Sequence, residues 1–84
     1  MYKVIIAPRA KKQLKSIAKE THRNAIANAI EDLKENPFMG KKLTRDLEGR
    51  YSYRVGVYRI IYKIYEKEKI VEVVTAGHRS SIYQ

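Results

Sequence analysis

Two arginines flank a predicted turn in the second half of the chain. Gly56-Val57 fits a two-residue β-hairpin turn with glycine first, the type II′ pattern. In that register Arg54 lies directly opposite Arg59, and like charges so placed cost stability. Because each guanidinium fork can hold phosphate oxygens bidentately, the pair predicts an anion-binding site. The alternative is that both arginines are ordinary solvent-facing strand residues that splay into water.

The end of the chain adds groups that can do acid–base chemistry. His78 and Arg79 follow a strand-like run, with Gly77 expected to let the chain turn, and Tyr83 comes four residues after Arg79. The same register places His78 and Arg79 beside the hairpin turn, close to the arginine pair. Taken singly, His78 is typical of a surface histidine and Tyr83 of a tail residue packed on a sheet edge. Three arginines, an imidazole and a phenol can thus converge on one rim, and only this convergence favours a catalytic role.

The last two strands supply a contrast with the arginine pair. If they pair across a Glu66–Lys69 turn, Lys63 lies opposite Glu72 and is neutralised. The same register places Ala76 opposite Arg59, so the arginine gains no carboxylate from this strand. The sequence therefore predicts one balanced and one unbalanced cationic position on the same strand.

Other catalytic chemistries fit the sequence poorly. The chain has no cysteine, its two histidines are far apart in sequence, and its carboxylates are scattered, so no metal site is expected. It contains no glycine-rich phosphate loop and no obvious Ser-His-Asp arrangement. The residues therefore predict chemistry that uses neither a metal nor a cofactor.

The charge of the chain favours a polyanionic partner. Eighteen Lys and Arg against nine Asp and Glu give a formal charge of +9 in 84 residues. Residues 1–24 carry seven cations against Glu20 alone, and residues 41–63 carry seven against two acids, whereas residues 25–40 are net acidic. The longest apolar run, Val4–Ala7, is too short to span a membrane, so we expect a soluble cytoplasmic protein with no membrane partner.

The elements that must position these residues can be predicted from periodicity and turn signals. A first strand covers Tyr2–Ala7, and a helical hairpin covers 8–36, with Thr21 as a plausible N-cap and the residue before Pro37 as its stop. After an irregular connection over 37–50, three more strands are predicted: Tyr51–Val55, Tyr58–Tyr65 and Ile70–Ala76. We therefore expect one α+β domain over residues 1–84, β-α-α-β-β-β, with the helical hairpin packed on a mostly antiparallel four-stranded sheet.

Side-chain alternation then separates two faces of the central hairpin. The face expected to pack on the helices carries Tyr51, Tyr53, Val55, Tyr58, Ile60, Tyr62 and Ile64. The other face carries Arg50, Ser52, Arg54, Arg59, Ile61 and Lys63. The arginine pair is therefore predicted to point away from the core.

Two motifs resemble the RelE/ParE superfamily of type II toxin-antitoxin toxins. The first is the stretch over 47–62, which reads Leu-Glu-Gly-Arg-Tyr-Ser-Tyr-Arg-Val-Gly-Val-Tyr-Arg-Ile-Ile-Tyr. The second is the ending Gly-His-Arg-Ser-Ser-Ile-Tyr over 77–83. The His-Arg-x-x-x-Tyr order is similar to the RelE-like mRNA interferase branch rather than to the branch that poisons DNA gyrase. The resemblance covers the whole chain and implies the RelE-like fold.

The resemblance implies a toxin that enters the ribosomal A site, beside 16S ribosomal RNA, and cleaves messenger RNA without a cofactor. In the family the ribose 2′-OH attacks the adjacent phosphate and leaves a 2′,3′-cyclic phosphate and a 5′-OH. Arg59 and Arg79 match arginines that bind the scissile phosphate, Arg54 falls where a basic residue assists, and Tyr83 matches a tyrosine with an acid/base role. The resemblance also implies a cognate acidic antitoxin that wraps the basic surface.

One departure from the family concerns the general base. Some members carry a lysine where this chain has Ser52, and a serine hydroxyl is a poor proton acceptor at neutral pH. Tyr83 or His78 can take that role, and the family match favours Tyr83. We expect Lys41, Lys42 and Arg50, with Ser52, to contact RNA rather than to take part in the reaction.

Two other functions remain open at this point. One is a ParE-like inhibitor of DNA gyrase, which shares the fold and the central motif but does not require Tyr83. The other is a catalytically degenerate member that only binds RNA, an alternative that Ser52 keeps open.

Overall fold

The polypeptide forms one five-stranded sheet with two helices, seen in a computed structural model that describes residues 1–43 and 49–78. The elements are β1 (Lys3–Ile6), α1 (Pro8–Lys15), α2 (Glu20–Glu35), a 3₁₀ turn (Pro37–Met39), β2 (Lys41–Lys42), β3 (Arg50–Val55), β4 (Tyr58–Tyr65) and β5 (Ile70–His78). The strand order is β1-β5-β4-β3-β2, with β1 parallel to β5 and the other pairs antiparallel. The predicted α+β architecture is confirmed.

The sheet has five strands rather than the predicted four. The additional strand is β2, which lies inside the predicted irregular connection and pairs with β3 through Lys41–Ser52 and Lys42–Tyr51. Two residues give too short a run for side-chain alternation to be visible in the sequence. The pairing matters for the site, because it brings a lysine across from Ser52.

The two helices begin and end at residues with identifiable signals. Pro8 occupies the first turn of α1, where its missing N–H is not needed. The predicted N-cap Thr21 is wrong, because the backbone of Lys19 is extended and its carbonyl accepts the N–H of Arg23, so α2 begins at Glu20. The stop before Pro37 is confirmed: α2 ends at Glu35.

The core lies between the helices and one face of the sheet, which we call the inner face; the opposite side is the outer face. Its buried members come from both layers: Ala10, Ile17, Ile26, Ala29, Leu33, Ile60, Tyr62, Val71, Val73 and Ala76. The seven hairpin residues predicted to face the helices all belong to this core or pack against it. Each large apolar side chain so buried stabilises the fold by roughly 1.5–3 kcal/mol.

The predicted register of the β3–β4 hairpin is confirmed. Gly56 has a φ of 60°, a value that glycine adopts without strain, and Arg54 pairs with Arg59 across the ladder. The pairing of β4 with β5 is shifted by one residue at a bulge between Ile61 and Tyr62. Arg59 therefore lies opposite Gly77 and not opposite the predicted Ala76. The bulge lets two core residues of β5, three positions apart, face the helices together.

The last strand is longer than predicted. β5 continues through Gly77 to His78, so Gly77 does not turn the chain there. On the edge of β5 that faces away from β4, the described residues place no strand beside its second half, because β1 pairs only with Ile70–Val73. Gln13 of α1 takes that place, since its Oε1 accepts the N–H of Ala76 at 2.9 Å and the hydroxyl of Thr75 at 2.8 Å. Among the described residues no helix is long and apolar enough to cross a membrane.

Candidate active site

The hairpin arginines occupy the outer face at the end of the sheet near the Gly56 turn. Arg54 is exposed, whereas Arg59 is half-buried and its Nε atom is buried. Burial of the stem fixes where the Arg59 guanidinium emerges, while the Arg54 side chain extends into solvent. Two permanent cations that differ in burial therefore share one cross-strand pair, which suits the binding of a phosphate group.

A pocket of about 390 Å³ lies beside this pair. It extends from β4 across β3 to the segment around β2 and is lined by Met39, Gly40, Lys41, Leu43, Ser52, Tyr53, Arg54 and Arg59. Its cations lie on the strands β2, β3 and β4. They are therefore spread over the width of a short stretch of single-stranded nucleic acid rather than of one phosphate. The pocket is therefore able to hold an RNA backbone as well as the phosphate itself.

Gly40 forms the floor of this pocket through a close approach of the backbone. A Cβ at this position would meet the hydroxyl of Tyr62 and would lie 2.9 Å from the carbonyl oxygen of Ser52. Tyr62 cannot easily move away, because it is fully buried and its hydroxyl donates to the carbonyl of Pro37 at 2.6 Å. Burial raises the pKa of Tyr62 to about 12. The segment before β2 is thus held against the sheet.

The two lysines of β2 separate onto different faces. Lys41 pairs with Ser52, whose side chain is buried on the outer face, and both residues line the pocket. Lys42 pairs with Tyr51, which packs on the core of the inner face. Of the lysines predicted to bind RNA, Lys41 therefore joins the arginine pair and Lys42 does not.

The lower rows of the outer face carry cations with a different setting. Arg50 is half-buried and lies opposite Lys63, two pairs below the pocket. Lys63 in turn lies opposite Glu72, as predicted. The Glu72 carboxylate accepts the hydroxyl of Tyr65 at 2.8 Å, which raises the pKa of Tyr65. An acidic group therefore faces this part of the sheet.

His78 lies on the opposite face from the arginine pair. It pairs with Tyr58 in the β4–β5 ladder, and the two rings contact each other edge to face with their centroids 6.1 Å apart. The expectation that His78 lies close to Arg54 and Arg59 is therefore corrected: alternation along β5 turns its ring toward the inner face. His22 of α2 contacts the same tyrosine, with Nδ1 3.0 Å from the hydroxyl, a contact that the sequence gave no signal for.

The other two residues of the predicted constellation, Arg79 and Tyr83, lie outside the described residues. Their roles stay predictions. Gly77, the neighbour of His78 in the chain, has no side chain, and among the described residues no atom beyond Gly77 and its chain neighbours would lie within 4 Å of a Cβ at this position across from Arg59. The sequence did not indicate this pairing, since it depends on the bulge.

Comparison with known proteins gives consistent results along the whole chain. A family model described as the ParE toxin of the type II toxin-antitoxin system, parDE, matches residues 4–83. Toxin RelG of Mycobacterium tuberculosis (strain ATCC 25618 / H37Rv) is 31% identical over 84 residues, which are 99% of this chain and 97% of the relative. Toxin RelE of the same organism is 32% identical and covers 99% of this chain and 87% of the relative.

Solved structures agree with these relatives. The toxin-antitoxin complex RelBE2 from Mycobacterium tuberculosis contains a chain that superposes with a TM-score of 0.82 at 30% identity, over 93% of this chain and 98% of that one. The intact E. coli RelBE toxin-antitoxin complex gives a TM-score of 0.79 at 20% identity, over 93% and 96%, and supports the fold alone. The archaeal RelE-RelB complex from Pyrococcus horikoshii OT3 gives a TM-score of 0.76 at 25% identity, over 95% of this chain and 97% of that one.

Proposed function

The chain belongs to the RelE/ParE superfamily and is a toxin of a type II toxin-antitoxin system; we propose that it is a ribosome-dependent endoribonuclease. In this proposal it enters the A site beside 16S ribosomal RNA and cleaves the messenger RNA there, so that translation stops. The observation that carries the proposal is the Arg54–Arg59 pair at the edge of a pocket that also contains Lys41.

The proposed reaction is an internal transphosphorylation. The ribose 2′-oxygen attacks the adjacent phosphorus, the bond to O5′ breaks, and the products carry a 2′,3′-cyclic phosphate and a 5′-hydroxyl. One proton leaves the 2′-hydroxyl and one is delivered to O5′. Because RNA supplies the nucleophile, the protein needs to orient it and to stabilise the added negative charge, which two guanidinium groups beside the phosphate can do.

Individual roles are proposed from position for the residues that the structure describes and from the family resemblance for Arg79 and Tyr83. Arg59 is proposed to hold the non-bridging oxygens of the scissile phosphate, because its stem is fixed in the sheet. Arg54 and Lys41 are proposed to hold the RNA backbone on either side. Arg79 is proposed as a second phosphate ligand and Tyr83 as the acid/base group. The inner-face position of His78 favours Tyr83 over His78 for that role.

A cognate antitoxin is the proposed protein partner. Several structural relatives were solved as toxin-antitoxin complexes, and the formal charge of +9 favours an acidic partner. We propose that the antitoxin covers the outer-face cations and so blocks access of RNA to the pocket.

The test compares Arg59→Ala with Lys63→Ala in the same strand and on the same face. Messenger RNA bound to purified ribosomes is incubated with each variant, and its ends are mapped and their chemistry determined. Removal of one charge-stabilising donor typically costs 10²–10³ in rate, so we expect Arg59→Ala to lose roughly that factor. Lys63→Ala removes an equal charge outside the pocket and is expected to cleave as wild type does. Equal cleavage by all three proteins would overturn the proposal.

Inhibition of DNA gyrase is the second candidate, because the matching family model is described by the ParE toxin of parDE. It is a protein-binding activity that needs no phosphate site. Wild-type protein that blocks supercoiling by purified gyrase, while ribosome-bound messenger RNA stays intact, would favour this candidate over the nuclease.

A further inference from the structure

The first helix carries a cationic surface that the proposed active site does not use. Five cations of α1 and the following loop are exposed: Arg9, Lys11, Lys12, Lys15 and Lys19. We call this surface the α1 basic face. Within residues 1–30 the chain contains a single acid, Glu20. The face therefore forms a compact positive patch on a helix of eight residues.

Part of this arrangement is unfavourable for the helix itself. Lys11 and Lys15 lie four residues apart and Lys12 and Lys15 three, so like charges are neighbours on the helix surface and each pair costs about 0.2–0.5 kcal/mol. Arg9 stands in the first turn, where the helix dipole favours an acid and α1 has none. Within residues 1–43 and 49–78 no carboxylate forms an ion pair with these five cations, whereas Lys34 of α2 pairs with Glu31. Lys12 and Lys15 gain from the helix dipole in the last turn of α1, but their contacts with neighbouring cations oppose that gain.

The α1 basic face is nevertheless firmly held. Ala10 is fully buried beneath it, and Gln13 is bonded to two groups of β5. At the far end of the helix, Arg23 donates to the carbonyls of Ile17 and Ala18 at 2.7 and 2.8 Å. The exposed cations thus project from a rigid base, which lowers the entropic cost of binding an ordered ligand.

We propose that the α1 basic face binds the phosphate backbone of double-helical RNA. Its exposed side chains within α1 are charged or polar apart from Pro8, and the apolar Ala10 and Leu14 turn inward. A protein partner or a membrane would require an apolar centre on this face. A single strand would require aromatic side chains for base stacking. Lysines without either feature fit a duplex, which is recognised by its backbone.

The α1 basic face is separate from the pocket. α1 lies along the edge of β5 that faces away from β4, whereas the pocket lies on β4, β3 and β2, so β5 stands between them. One molecule can therefore hold a duplex at one edge of the sheet and a cleavable strand at the other. The choice of RNA over DNA rests on the proposed function; the duplex-binding face itself does not.

The experiment compares two triple variants of equal net charge. One replaces Lys11, Lys12 and Lys15 by Gln; the control replaces Lys3, Lys67 and Lys69, which are exposed at the other end of the sheet, by Gln. Both are made in the Arg59→Ala background so that no probe is cut. Fluorescence anisotropy measures binding to an RNA hairpin with a stem of about 16 base pairs, to a DNA hairpin of the same sequence, to a single-stranded RNA, and to phosphatidylglycerol vesicles.

We expect the α1 variant to bind the RNA hairpin at least tenfold more weakly near 0.1 M salt, with the slope of log K against log salt reduced by about 2–3. The control is expected to stay within about threefold of its parent. Equal weakening in both variants would mean that net charge alone acts, and would overturn the proposal. Three other outcomes would also overturn the proposal. The parent could bind the DNA hairpin as tightly as the RNA hairpin or bind the single-stranded RNA more tightly, or the α1 variant could lose vesicle binding while it still binds RNA.

The outcome is independent of the cleavage test. If Arg59→Ala and Lys63→Ala cleave alike while the α1 variant loses the RNA hairpin, the proposed nuclease activity fails and the duplex-binding face stands. If the cleavage test succeeds and the two triple variants bind alike, the reverse holds. Melting temperatures of both triple variants, expected within a few degrees of the parent, verify that the fold is retained.

Discussion

Two cross-strand rows of the outer face use the same strand, β4, in opposite ways. In the lower row Lys63 lies between Arg50 and the acidic Glu72. In the upper row Arg59 lies between Arg54 and Gly77, which has no side chain. The lower row thus contains a charge of opposite sign, and the upper row contains only like charges. Like charges opposite each other cost stability, and this contrast between the two rows is one reason why we propose that the upper row binds an anion.

The most direct way to break this contrast is to place a carboxylate in the upper row. Gly77→Asp fits sterically, because a Cβ at that position meets open space. The new carboxylate would compete with RNA phosphate for Arg59, and we expect ribosome-dependent cleavage to fall roughly a hundredfold, the size of the loss of one charge-stabilising donor.

Gly77→Asn is the matched control, of the same shape without the charge. It is expected to cleave within about threefold of wild type. An equal loss in both variants would mean that the open space matters and the missing charge does not.

A second change tests how firmly the pocket floor is packed. Gly40→Ala places a methyl group against the Tyr62 hydroxyl and the Ser52 carbonyl, and overpacking of this kind typically costs about 1–3 kcal/mol. Denaturant unfolding should show a lower midpoint. Gly77→Ala, where space is open, is expected to leave the midpoint almost unchanged; a similar fall there would argue against the steric explanation.

The alkaline limb of the stability curve tests the same buried tyrosine. The pKa of Tyr62 is about 12 in the folded state against 10.0 for the free side chain. The unfolded chain therefore loses the proton first, and the stability that Tyr62 contributes is full below pH 10 and disappears as the pH rises from 10 to 12. Tyr62→Phe should fall less steeply over that interval when unfolding is followed by circular dichroism. Parallel curves for the two proteins would contradict the assignment.

The smallest expected effect comes from a change of the charge on Arg54, the other member of the upper row. Arg54→Glu converts the upper row from like to opposite charges, so we expect the free energy of unfolding to rise by up to about 1 kcal/mol while cleavage falls. Arg54→Gln removes the repulsion without adding attraction and should lie between the two. A variant that loses both stability and cleavage would show that Arg54 has a structural role in the fold.

The sequence was sufficient to predict the structure where a local rule allowed only one conformation of the chain. A two-residue turn with Gly56 at positive φ fixes the register of β3 against β4, and with it the Arg54–Arg59 pair and the division of inner and outer faces. The end of α2 was equally determined, because the residue before Pro37 is forced out of the helical region.

The sequence did not predict the strand pairing correctly where several registers were equally plausible. The bulge between Ile61 and Tyr62 lies opposite Val73–Thr75, in a run of β-branched residues that carries no glycine to mark it. That single shift moves Gly77 to face Arg59 and turns His78 inward. The strand β2 escaped prediction because its pairing with β3 depends on the tertiary approach of Gly40 to Tyr62, which no local pattern encodes.

Gln13 has a consequence for how the molecule behaves in a crowded cell. Its Oε1 accepts the N–H of Ala76 on the half of β5 that β1 does not cover. An uncovered strand edge is a template on which another chain can add a strand and begin aggregation. A single glutamine therefore closes the sheet against its own copies at the position where a long apolar strand is most vulnerable.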